Sequence, residues 1–138
     1  MRIARLALLA ATLGSFLACS SSTSPNGLAR RGEWGSGQAD LMIADQSAHL
    51  SILADLGCIA SYGDIPQSIP SGSFDLSGTY TQVTDVFPGT VQYPAQFSGT
   101  AQADQLSISV TVPALQQTFG PFTLAYGVHE SWSVCAFP

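Results

Sequence analysis

The residues able to do chemistry are few and scattered: three cysteines (Cys19, Cys58, Cys135), two histidines (His49, His129) and nine acids. His129-Glu130 is not the start of a His-Glu-x-x-His zinc helix, because position 133 is serine. Two histidines 80 positions apart supply no clustered ligand set, so neither a metal nor any other cofactor is expected. Ser131 follows two residues after His129 and would share its side of a strand, but such a pair is two solvated polar groups unless a third residue orients the base. No Gly-x-Ser-x-Gly elbow occurs. Asp45, Asp64, Asp85 and Asp104 stand singly, at positions where Asp closes turns by bonding its own backbone. The chain is therefore expected not to be an enzyme.

Charge narrows the class further. Only 9% of residues are charged, and all four basic ones are arginines: Arg2, Arg5, Arg30 and Arg31. Without a cationic footprint, nucleic-acid binding is excluded. The polar positions are filled by Ser, Thr, Gln and Gly instead, a composition that suits the solvated faces of an exported β-protein.

Those faces are visible as a period of two from Phe74 onward. Phe74, Leu76, Gly78 and Tyr80 alternate with polar residues, as do Tyr93, Ala95, Phe97, Gly99 and Ala101. Leu106, Ile108, Val110 and Val112 form the cleanest strand, and Phe122, Leu124 and Tyr126 another, followed by Trp132 and Val134, with His129 beginning that last stretch. Phe87-Pro88-Gly89, Ala103-Asp104, Pro113, Gly120-Pro121 and Gly127 punctuate them as turns. Gly78 and Gly99 suit bulges or tight bends. Earlier, Leu41 and Ile43 pair through Asp45-Gln46-Ser47 with a strand carrying Leu50, Ile52, Ala54, Leu56 and Cys58. Leu41, Ala44, Ala48, Ile52 and Leu56 also fit one helical face, but the hairpin agrees with the rest of the chain. The expectation is an all-β domain over residues 32–138, a small antiparallel up-and-down barrel of about 7–8 strands, with a β-sandwich as the alternative. Phe74, Tyr80, Phe97 and Trp132 are expected to fill its interior.

The N-terminus reads as an export segment. Arg2 and Arg5 precede the apolar run Leu6–Leu13, too short to span a bilayer. The stretch ends Phe16-Leu17-Ala18-Cys19-Ser20, which resembles the lipobox of bacterial lipoproteins in its Ala18-Cys19 pair, while Phe16 and Leu17 depart from it. The resemblance implies a signal peptide over 1–18, a lipidated Cys19 and a flexible tether over 19–31, the polar Ser20–Gly27 supplying the slack. Ser20 after the cysteine implies the outer membrane, so the partner is the membrane of the cell envelope, reached through the anchor. Cleavage after Ala18-Cys19-Ser20, releasing a soluble secreted or periplasmic protein, is the other reading. Either way Cys58 and Cys135 remain as a pair for an oxidising compartment. Cys135 is out of phase with Trp132 and Val134, so a bridge requires a bulge or an external position.

Gly32-Glu33-Trp34 resembles the Gly-x-Trp opening of lipocalin- and avidin-like (calycin) barrels, and the whole resembles small calycin-like lipoproteins. That implies Trp34 packing across one barrel end, just before the first strand. The pattern's basic residue near the final strand is missing. Three functions follow as expectations: a structural or interaction module on a lipid anchor, a carrier of a small hydrophobic ligand, or a proteinase-inhibitor-like barrel offering Ile65–Pro70 or its N-terminal stretch.

Overall fold

The computed structural model describes residues 27–54, 57–83, 90–129 and 131–135. The expected signal peptide, Cys19, most of the expected tether and the expected turn at Phe87-Pro88-Gly89 lie outside them. Eight antiparallel strands, each bonded to its neighbours in sequence, close into a barrel: β1 (Gly32–Gly35), β2 (Ala39–Ile43), β3 (Ala48–Leu53), β4 (Ile59–Ile65), β5 (Gly72–Val83), β6 (Thr90–Ala101), β7 (Gln105–Val112) and β8 (Gln117–Tyr126). Closure leaves no sheet edge, which separates it from the sandwich alternative. The seam is short, with β1 meeting β8 only at Trp34–Tyr126 and Gly35–Ala125.

Period-two patterning builds the wall. In β7, Leu106, Ile108, Val110 and Val112 are all fully buried while Ser107, Ser109 and Thr111 face outward. The β2–β3 hairpin forms as the alternation requires, with Leu41 opposite Leu50 and Ile43 opposite Ala48. The helical face is not used.

The middle of the barrel is occupied by the fully buried Phe97. Its ring lies over Gly63 of β4 and Gly78 of β5, where an added Cβ would stand 2.6 Å and 2.8 Å from ring carbons. Gly78 is thus a place of close approach rather than a bulge, since its register with Ala95 is unbroken. Gly99 plays the same part, because a Cβ there would fall 1.8 Å from the Ser107 carbonyl oxygen. The register shifts occur elsewhere, between Ile52 and Leu53 and between Ile108 and Val110.

Other expectations need correction. Gly32–Gly35 is itself the first strand. The third strand stops at Leu53 rather than running to Cys58, because Ala54 and Gly57 close a turn through Gly57 N–H to the Ala54 carbonyl and Ala54 N–H to the Cys58 carbonyl. β4 follows, with inward positions Ile59, Ser61, Gly63 and Ile65; Gly63 makes room for Phe97, and Ser61 and Gly63 together hide the alternation. Gly120-Pro121, read as a turn, lies within β8 opposite the irregular stretch of β7. Finally, the described residues of 128–135 form no strand of the barrel, so His129 opens none and Trp132 fills none of the interior.

Candidate functional site

One end of the barrel is closed by the chain that leads into it. Ala29 N–H bonds the Ile69 carbonyl, and Ala29 and Ile69 are both buried. Trp34 sits behind them, fully buried, donating its Nε1–H to the Arg30 carbonyl at 3.0 Å. Tyr126 meets Trp34 edge-on with ring centroids 5.1 Å apart, and its hydroxyl donates to the Arg31 carbonyl. The Arg30 guanidinium lies 3.7 Å above the Tyr126 ring and pairs with Asp104, while Arg31 pairs with Asp45. A basic group therefore does stack at this end, but it precedes Trp34 in the chain and covers Tyr126. Periodicity could not reveal it, because Arg30 belongs to no strand. Arg30→Ala should lower stability by about 1 kcal/mol, the sum expected of a half-exposed stack and a surface ion pair. A shift in the urea midpoint at unchanged slope would report it.

Ile65–Pro70 is anchored by its isoleucines and exposed at Pro66 and Gln67 between them. Ile65 and Ile69 are each 1% exposed, and Ser68 Oγ donates to the Asp45 carbonyl.

A group of the described ionisable residues stands on the outer wall of β1 to β4. Register aligns Glu33, Met42, His49 and Asp64 in one row across β1 to β4, and Gly35, Asp40, Ser51 and Tyr62 in the next. His49 Nδ1 lies 2.7 Å from Asp64 Oδ1, and its ring lies 5.2 Å from Tyr62. Asp64 is thus a strand residue, not a turn residue. The described residues of 127–135 run back across this wall. Gly127, with φ of +79°, turns the chain out of β8 in the left-handed region that glycine adopts freely. Gly127 N–H then bonds the Glu33 carbonyl, the Val128 carbonyl covers Gly35, and His129 Nδ1 lies 3.3 Å from Glu33 Oε2. A Cβ on Gly35 would stand 2.4 Å from that carbonyl oxygen, so only glycine lets this strap lie flat on β1.

Beyond it, Trp132 packs beside Gly57, and Val134 makes a parallel bridge with Ile59. Cys135 is bonded to Cys58, with Cα atoms 4.9 Å apart. Of the two routes left open for that pair, the external one is realised, and Cys58 lies outside the core. Between strap and wall lies a cleft of about 330 Å³, lined by Glu33, Asp40, Met42, His49, His129 and Trp132 among others. Trp132 Nε1 is buried there without a hydrogen-bond partner among the described residues. The cleft brings His129, Ser131 and His49 to one place, which sequence spacing did not foresee. Among the described residues no three His, Cys, Asp or Glu side chains are grouped to hold a metal. A second, wider concavity of about 560 Å³ opens at the far end, where Ile52, Ser61, Tyr80 and Phe119 line it. Tyr80 and Phe119 stack there at 5.0 Å.

No protein-family model, curated protein or solved structure matches this chain.

Proposed function

We propose that this protein is a non-catalytic interaction module of the cell envelope, held to the outer membrane by a lipid on Cys19. The observation that carries the reading is the Cys58–Cys135 bridge in a barrel with a packed middle. A bridge between the only two cysteines left after Cys19 suits an oxidising compartment, and the apolar h-region with Ala18-Cys19 supplies the route to it. Two or more acyl chains give stable anchoring, at about 0.8 kcal/mol per buried CH₂. Nine acids against Arg30 and Arg31 give the mature chain an acidic surface, which favours basic partners over nucleic acid. Cys19→Ala is expected to move the protein from the membrane fraction to the soluble one; unchanged membrane association would remove the anchor.

The wide end concavity favours a second reading, a carrier of a small hydrophobic ligand. Tyr80 and Phe119 offer aromatic walls there. An environment-sensitive apolar dye, displaced on Phe119→Ala, would support it, and no enhancement of dye emission would end it. The inhibitor reading keeps Ile65–Pro70 beside the N-terminal stretch, since Ile65 and Ile69 anchor a segment whose Pro66 and Gln67 are exposed. Titration against periplasmic proteases is expected to leave their activity intact.

A further inference from the structure

We propose that the described residues of 127–135 form a disulfide-latched lid over the outer-wall cleft, released when a dithiol reduces the Cys58–Cys135 bond. Lipidation of Cys19 is not required for this. None of the lid's described residues belongs to the buried core, and Val128 and Val134 are 41% and 48% exposed. Apart from the disulfide, the lid is tied to the barrel by a few peripheral contacts. Gly127 N–H donates to the Glu33 carbonyl, Ile59 N–H to the Ser133 carbonyl, and Cys135 N–H to the Ile59 carbonyl. The His129–Glu33 contact is exposed on both sides. The strands keep their pairing with one another without it, since the barrel closes through β1–β8, while Glu33 and Ile59 lose backbone bonds to the lid. Stability of this kind is local: a segment with little buried apolar contact opens independently of the core.

The latch is also reachable and re-formable. Cys58 and Cys135 are both partly exposed. Each lies directly beside a residue of the Ile59–Val134 bridge, so that short parallel pairing brings the two thiols back into register. In the opening step, a thiolate of the dithiol attacks one sulfur of the cystine. The S–S bond breaks, a mixed disulfide forms, and the other cysteine leaves as a thiolate that takes up a proton. The reductant's second thiol then attacks the mixed disulfide, freeing the second cysteine and closing the reductant's own disulfide. Two electrons and two protons pass to the protein. Exchange with an oxidised dithiol runs the sequence backwards. Opening widens the cleft over Glu33, Asp40, Met42, His49 and Ser51, of which Met42 and His49 are already about half exposed.

The test is amide hydrogen exchange on the full-length protein, oxidised and after treatment with dithiothreitol, with the Cys58→Ser/Cys135→Ser double variant as a reductant-free check. Acrylamide quenching adds a second readout, because Trp34 is fully buried and Trp132 rides on the lid. The expected result is at least tenfold faster exchange in the described residues of 127–135, and a quenchable Trp132, with β5 to β7 still exchanging far more slowly than the lid, at a rate set by the lowered global stability. Unchanged exchange in 127–135 would overturn the proposal. So would exchange of β5 to β7 at the same rate as the lid, because lid and barrel would then open only in one global step.

Discussion

Phe97→Ala is expected to lower the unfolding free energy by about 3–5 kcal/mol, the range for removing a buried aromatic side chain. A domain of this size has only about 5–15 kcal/mol in total, so the variant should survive near room temperature with a strongly reduced urea midpoint. Burial alone does not make Phe97 the largest case. Its ring rests on two strands that have given up side chains to admit it, at Gly63 and Gly78. That arrangement predicts a pattern of rescue. Gly63→Ala should destabilise by about 1–3 kcal/mol in the natural background, because the new methyl meets the Phe97 ring with nowhere to go. The nearest atoms to that methyl are all side-chain atoms, of Phe97 and Leu50. In the Phe97→Ala background the same substitution should therefore cost little or even stabilise, giving a large favourable coupling in a double-mutant cycle. Gly78→Ala should show no such rescue, since its Cβ would also fall 2.1 Å from the Asp64 carbonyl oxygen, which is backbone. Additive behaviour at Gly63 and Phe97 would mean that the ring does not fill the middle of the barrel.

Removing the Cys58–Cys135 bond is the second large effect. The bridge spans 77 positions, and the chain-entropy treatment gives a loop of that size about 4.5 kcal/mol, as an upper figure. The Cys58→Ser/Cys135→Ser variant should thus approach that loss in global stability, with a steeper urea dependence because its unfolded chain exposes more surface. Its barrel should still fold, since neither cysteine belongs to the core. A loss below about 1 kcal/mol would show that the unfolded chain is already compact enough to make the constraint redundant.

The sequence spoke clearly wherever one face of a strand is apolar throughout. β7 is legible residue by residue, and β5, β6, β8 and the β2–β3 hairpin nearly so. It was silent at β4, where the inward set is Ile59, Ser61, Gly63 and Ile65. Gly63 serves a ring that arrives from β6, 34 positions later, and no local pattern can announce a partner so distant. The lid misled for the opposite reason. Trp132 and Val134 continue the alternation of β8 on paper, but Gly127 turns the chain out of the sheet and Cys135 fixes it to the outside. The mismatch of phase at Cys135 was the visible trace of that exit. The outer-wall row was legible only after pairing was known. Glu33, Met42, His49 and Asp64 are spaced by 9, 7 and 15 positions, and only antiparallel register makes them neighbours.

Intact mass of the mature protein, taken without reductant from the cell envelope, tests the envelope-module reading most directly. The expected species begins at Cys19, carries the added mass of acyl chains, and gains two hydrogens on reduction of Cys58–Cys135. A polypeptide that starts elsewhere with no acyl mass, or one whose Cys58 and Cys135 are already free thiols, would contradict it.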